Sequence, residues 1–346
     1  MKNPLPSLAP AVAAGLSMDV DYLTLNELEK FLRHNEPLLL GEIHFGTALR
    51  NLHDGDHPRA LVCMAQLNPV PLIEVWSSRA PISRGRAGDV VYAQTDEILF
   101  GCLDYPAVAA RDIEATVRHA YDEILGMIGK QGYPHLLRIW NYFSDITQET
   151  RGLDRYQCFC RGRFEALERH YGEFDRKLPA ASAVGTQGGG FILYFIAART
   201  PGRHRENPRQ ISAYHYPPQY GPRSPSFARA MLKREGHDYS LYISGTASIV
   251  GHQSLHPDDV HLQVQETLSN LGTLIDTTAR EEGVGLHGLA SLSRLKVYIR
   301  HPQHLEAIQA GLDAVIAPRV PRLYLQADIC RDDLLLEIEG IARAAV

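Results

Sequence analysis

Apolar positions along this chain follow two periods, and the switches between them mark the predicted elements. In residues 239–250, YSLYISGTASIV, the apolar or β-branched positions Leu241, Ile243 and Val250 read as a strand. His256-Pro257-Asp258-Asp259 stops that strand and caps a helix, in which Val260, Val264, Leu268 and Leu271 recur at helical spacing. Gln263, Glu266 and Asn270 lie off the apolar stripe. Gly245 falls inside the strand, where a missing Cβ marks the close approach of a ligand or another backbone, so it is a candidate pocket wall. A strand over 292–300, a helix over 303–316 and a hairpin from 322 to 344 complete the second half.

The first half reads similarly. A lead-in of about 35 residues holds one short helix, LTLNELEKFLRH, and a strand is predicted over 37–45. Further strands are predicted at 70–76 and 89–100, then an amphipathic helix over 107–130 with Ile113, Val117, Tyr121 and Ile124 on one stripe. A strand over 135–143, a helix from 154 to about 171 and a hairpin across Gly188-Gly189-Gly190 follow. Strand, helix, strand, helix, hairpin thus occurs twice, offset by roughly 150 residues, and LPAASAV…FILYFIAAR echoes VPRLYLQ…LLLEIEGIAR. The expected fold class is α+β in two domains, 1–203 and 204–346, each a mixed sheet with helices packed on one face. The boundary falls in the linker PGRHRENP, and the site is expected mainly in the second domain.

Composition narrows the function. A net charge of −5 and a pI near 6.3 argue against nucleic acid or an anionic membrane as partner, because both reward a basic surface. Any anionic ligand must then meet a local arginine cluster. The five cysteines are scattered, and the one close pair, Cys158 and Cys160, lacks zinc spacing. Reduced thiols, a poor signal peptide and no apolar run of about 20 residues predict a cytoplasmic location without a membrane span. His53, Asp54, Asp56 and His57 lie in the polar stretch 46–58, where a hydrated loop accounts for them more simply than a metal site. No metal and no cofactor are expected.

Two stretches carry candidate chemistry. NPRQISAYHYPPQYGPRSPSFARA gathers Arg209, Gln210, Tyr214, Tyr216, Tyr220 and Arg223, which composition alone also allows as a surface strand and proline-rich turn. In PRLYLQADICRDDLLLEIEGIAR, the strand period places Arg322, Tyr324, Gln326 and Asp328 on one face, either solvent or pocket. Glu337 and Glu339 share a face further on, and the period does not separate them.

Ile243-Ser244-Gly245, then Gln263 and Asn270, together with the closing Arg322 and EIE, resemble the RidA/YjgF superfamily. ENPRQ-x-SAYHYP-x-x-YGPRSPSFARA, SGTASIVGHQS, Q-x-x-ET-x-x-N and QADICRDDLLLEIEG together resemble the chorismatase family, whose members cleave the enolpyruvyl group of chorismate. That likeness extends back through NYFSDI and LDRYQCFCRGRFEAL and covers most of the chain after about residue 135. It implies two RidA/YjgF-like domains, the first degenerate, and a threefold assembly that is either real, in a homotrimer, or built into a monomer.

The resemblance also implies chorismate as the small-molecule partner. This dianion needs two separated cationic clamps, ideally guanidiniums that grip carboxylates bidentately. Arg209, Arg223 and Arg322 are the candidates, with Arg155 as a fourth, beside Gln210, Tyr214 and Tyr216. Enol-ether cleavage starts by protonating the methylene carbon, which calls for a carboxylic acid kept neutral by a partly apolar setting. The resemblance points to Glu337 for that role. Small residues beside the ring are implied to set the product, and Gly245 with Cys330 resembles the pattern that forms 3-hydroxybenzoate, some members also giving 4-hydroxybenzoate. A hydrolytic member would give a dihydroxycyclohexadiene acid. A RidA-like imine or enamine hydrolase and a non-catalytic binder are the other readings.

Overall fold

Which strands are apolar on both sides decides the order of the sheets. The computed structural model describes residues 18–35, 38–47, 56–107, 111–150 and 152–345. A first sheet is formed by β1 (Asp19–Leu23), β2 (Leu39–Phe45), β3 (Arg59–Val62) and β4 (Ile73–Ser77), in the order β1-β4-β2-β3, with helix α1 (Leu25–Asn35) after β1.

The second sheet contains β5 (Ser83–Ala87), β6 (Val90–Gln94), β7 (Ile98–Tyr105), β8 (His135–Ser144), β11 (Ala180–Thr186) and β12 (Phe191–Ala198). Helix α2 (Ile113–Gln131) follows β7, and α3 (Arg155–Tyr171) follows β8 after a small ribbon, β9 (Glu149–Thr150) and β10 (Leu153–Asp154). The third sheet contains β13 (Arg203–Arg205), β14 (Ala230–Glu235), β15 (Asp238–Thr246), β18 (Leu292–Ile299), β19 (Arg322–Gln326) and β20 (Leu336–Ala345). A ribbon of β16 (Ile249–Val250) and β17 (Gln253–Ser254) leads into α4 (Val260–Glu282), and α5 (Leu305–Asp313) follows β18.

The two six-stranded sheets have one topology. Their orders are β11-β8-β12-β7-β6-β5 and β13-β14-β15-β20-β18-β19, and one read backwards matches the other strand for strand. Helices follow the third and fourth strands in both, and the fourth and fifth pair in parallel (β8 with β11, β18 with β19). The repeat read in the sequence is therefore a repeat of topology, from β5 to β12 and again from β13 to β20. Residues 19–77 form their own sheet outside it, so the stretch before residue 203 holds one copy of the unit and a further four-stranded sheet.

The expected hairpins are corrected. β19 and β20 do not pair, because β18 lies between them, and β8 likewise separates β11 from β12. A strand with both faces buried, as β12 is along its whole length, gains most from a central position, whereas the parallel crossover leaves β11 and β19 at the edge.

Alternation along the strands divides the interior. On β12, Phe191, Leu193, Phe195 and Ala197 pack toward α2 and α3, while Ile192, Tyr194, Ile196 and Ala198 join a core shared by all three sheets. On β20, Leu336, Ile338 and Ala342 pack toward α4 and α5, so Glu337 and Glu339 turn to the inter-sheet side. The start of α4 follows the predicted cap, with Asp259 accepting from Leu262 N, and at the start of α3 Asp154 forms a capping box with Gln157. Among the described residues, no helix is long and apolar enough to cross a membrane.

Candidate active site

A cavity of about 680 Å³ opens where α3, β11, β15, the strap 216–229 and the start of β20 converge. Of the residues expected at the site, Tyr216, Gly245, Cys330 and Glu337 line it. Glu337 is 6% exposed. Burial, and then the charge of Glu339, push its carboxyl up to about 8, against the opposing pull of Arg138 and Arg229. Gly245 is where it must be: a Cβ there would overlap Glu337 Oε1. Burial likewise pushes the Cys330 thiol up to about 12, so it is a neutral wall atom.

The other expected residues do not line the cavity. Arg322 lies on the side of β19 that faces α5, where it pairs with Asp313 and donates to Ile316 O at 2.8 Å. The inter-sheet side of that strand is taken by Leu323 and Leu325. Arg209 is paired with Glu266 at 2.5 Å and donates to Asn270 Oδ1 at 2.8 Å. Arg223 is exposed, stacked on Phe164 at 4.1 Å. Arg155 Nε donates to Ser144 O at 3.0 Å. Tyr214 packs edge-on against His204 and lines a separate surface hollow. Gln210 braces the wall from behind, its amide donating to Ile249 O at 3.0 Å.

The guanidiniums that do line the cavity are Arg163, Arg229 and Arg331. Arg163 is 2% exposed, and its Nε and Nη2 have no hydrogen-bond partner. Such donors are costly to bury unless an anion meets them. Arg229 is also buried; Nη2 donates to Tyr216 OH at 2.7 Å and Ile211 O at 3.0 Å, and Nε is unpartnered. Arg331 stacks on Tyr220 at 4.1 Å and donates to His252 O at 2.9 Å. A faint signal for Arg163 was present in the sequence: it sits on the stripe Tyr156, Cys160, Arg163, Leu167, where a buried helix face carries apolar residues. Arg229 and Arg331 offered none.

None of the described residues of the polar stretch 46–58 lines the cavity. His53 and Asp54 lie outside the described residues, and His57 stands 3.2 Å from the buried Glu42 carboxylate, which Arg59 also pairs. Among the described residues, Asp89, His119 and Glu123 have metal-ligand spacing, but Glu123 already accepts from Tyr105 OH at 2.7 Å and Asp89 N at 2.6 Å.

A buried neutral carboxyl and three guanidiniums in one cavity can donate a proton and bind a small anion, and comparison with known proteins shows the family. Residues 74–197 match the family described as "Chorismatase FkbO/Hyg5-like, N-terminal". A 3-hydroxybenzoate synthase of Streptomyces hygroscopicus is 37% identical over 297 residues, 83% of this chain and 86% of that protein. The chain belongs to the chorismatase family. A further relative from the same organism, named chorismatase, is 35% identical over 336 residues, 95% of this chain and 96% of its own length. A crystal structure of a chorismatase superposes with a TM-score of 0.86 at 33% identity, covering 95% of this chain and 99% of that one. A RidA from an Antarctic Psychrobacter appears among the further matches, at 15% identity and a TM-score of 0.27, covering 34% of this chain and 87% of that one. The protein is an enzyme, and its α+β sheets are those of a chorismatase.

Proposed function

We propose that the enzyme converts chorismate to 3-hydroxybenzoate and pyruvate, with Glu337 as the acid. The observation that carries this reading is the Glu337 carboxyl, neutral at physiological pH and facing Arg163, Arg229 and Arg331 across one cavity. Protonated Glu337 gives its proton to the methylene carbon of the enolpyruvyl ether, and positive charge develops on the ether carbon. The arginines hold the two carboxylates so that the substrate's own hydroxyl, rather than bulk water, is placed to react. Pyruvate leaves and the ring aromatises. The atoms of chorismate partition between the two products with none from water.

Support for this outcome comes from the relative named 3-hydroxybenzoate synthase and from Gly245 and Cys330 in the wall. The clamp role passes in this proposal from Arg155, Arg209, Arg223 and Arg322 to the three arginines that line the cavity. The five free thiols support a reducing, cytoplasmic setting, and the core shared by three sheets of one chain supports a monomer. Incubation of the purified protein with chorismate, followed by chromatography, tests the reading. 3-Hydroxybenzoate with equimolar pyruvate is expected, with any 4-hydroxybenzoate as the minor aromatic product. A dihydroxycyclohexadiene acid as sole product would replace the aromatising route with hydrolysis, and no pyruvate would remove both.

A further inference from the structure

Glu339 does not line the cavity, yet it accepts hydrogen bonds from more side chains than any other carboxylate described. Its Oε1 accepts from Trp140 Nε1 at 2.6 Å and lies 3.1 Å from Lys296 Nζ. Its Oε2 accepts from Ser182 Oγ at 2.5 Å, Arg138 Nη2 at 2.8 Å and Tyr298 OH at 3.2 Å. Lys296 in turn lies 2.7 Å from Glu74 Oε2. Glu74 comes from β4, Arg138 from β8, Lys296 from β18 and Glu339 from β20, so two cations and two anions meet where the three sheets join. A buried set of this kind persists only when its charges balance and its polar atoms are satisfied.

Ser182 links this set to the cavity. A serine has one hydroxyl proton, and here Glu339 takes it. The oxygen is then free only to accept, which it does from Arg138 at 2.7 Å and from the Gly245 N–H at 3.1 Å. That backbone group belongs to the wall against which the Glu337 carboxyl rests. The chain Glu339, Ser182, Gly245 therefore fixes the position of the wall relative to the acid.

We propose that Glu339 is a positioning residue for Glu337: a buried anion that anchors the Gly245 wall through Ser182 and sets the field in which the acid works. The proposal rests on the reading of Glu337 as the acid. Burial pushes the Glu339 carboxyl up, but the charges of Lys296 and Arg138, with the bonds from Ser182 and Trp140, outweigh it and hold Glu339 below the usual carboxylate range. The other ionisable groups around Glu337 are Arg138 of β8, Tyr156 and Arg163 of α3, Arg229 before β14, Tyr298 of β18, Cys330 and Arg331, with Asp154, Asp332 and Asp333 in the lining of the same cavity. Burial keeps both phenols and the thiol neutral, and among the carboxylates Glu339 is the one whose charge raises Glu337.

The test compares the pH dependence of chorismate turnover in the wild type, Glu339→Gln and Glu339→Asp, with Glu337→Gln alongside. Glu339→Gln is expected to move the alkaline limb of kcat down by about one pH unit or more, while Glu339→Asp, which keeps the charge, leaves the limb in place. Equal losses of activity in both variants with an unmoved limb would reduce Glu339 to a purely structural role. An inactive Glu337→Gln beside that unmoved limb sinks this inference alone, whereas wild-type turnover by Glu337→Gln sinks the acid reading and the inference with it. If neither Glu339 variant folds, infrared titration of the wild type decides, using the carboxyl band lost in Glu337→Gln. A midpoint above about 7 supports the proposal, and one in the ordinary range of about 4 to 5 overturns it.

Discussion

Gly245 and Glu337 occupy one space: the carboxyl of Glu337 lies where a side chain at position 245 would begin. The glycine belongs to β15 and the glutamate to β20, adjacent antiparallel strands whose register slips between Ile243 and Thr246, next to this contact. Gly245→Ala must therefore swing the carboxyl away from its place, since the far end of a glutamate moves more readily than a strand. Combined with Cys330→Ala, the change is expected to lower the yield of 3-hydroxybenzoate and shift product toward the dihydroxycyclohexadiene acid. Chromatography of the product mixture checks it, and an unchanged product ratio would show that the wall does not orient the ring.

Glu337→Gln keeps the shape of the acid and removes its proton. Turnover is expected to fall by a factor of roughly 10² to 10⁴, the usual contribution of general acid catalysis. Chorismate should still bind, because the arginines are untouched. Steady-state kinetics with calorimetric binding separates the two effects.

The pH dependence has a definite sign. The Glu337 carboxyl is raised to about 8, and in the proposed mechanism its protonated form is the active one, so kcat should be flat at neutral pH and fall as pH rises through about 8. Stability follows the same direction: a group bound to its proton more tightly in the folded state contributes most below its unfolded value and loses that contribution as pH rises through the folded one. Relative to the wild type, Glu337→Gln should gain in melting temperature above about pH 8, because it has no buried charge to create. Thermal melts across this range would expose an error in sign.

The arginines divide into two groups by position. Arg163→Lys and Arg229→Lys keep the charge but lose the planar fork, so each should cost about 10- to 100-fold in kcat/KM, the worth of one charge-assisted bidentate contact. Arg322→Lys, on the α5 side of its strand, should stay within about twofold of the wild type. If Arg322→Lys proved the most damaging of the three, the clamps would have to be sought outside this cavity.

Sedimentation should show a single 38.6 kDa species at micromolar concentration, because the three sheets bury one another's inner faces within one chain. A concentration-dependent trimer would mean that further faces remain to be covered.

The linear pattern carried much of this protein. The strands read over 239–250 and 292–300 and the helical period after Asp259 located β15, β18 and α4, although the first strand breaks after Thr246 and resumes as β16, because each element's own residues supply its pattern, stop and cap. The duplication was legible for the same reason, since two copies of one topology need the same succession of strand and helix. The period also placed Glu337 and Glu339 on one face. It did not distinguish them, because the distinction lies in what stands opposite: Lys296, Arg138 and Ser182 hold the charge of Glu339, while Glu337 looks into open cavity. The arginines show the same limit. Arg155, Arg209, Arg223 and Arg322 stood in suggestive company along the chain, yet Arg163, Arg229 and Arg331 line the cavity. A guanidinium sits at the end of a long side chain, and which side of its element faces a cavity depends on the other elements that pack around it. Strand order was hidden for the same physical reason: β19 and β20 follow each other in sequence, but β20 gains more burial by inserting between β15 and β18, a choice that depends on the whole sheet.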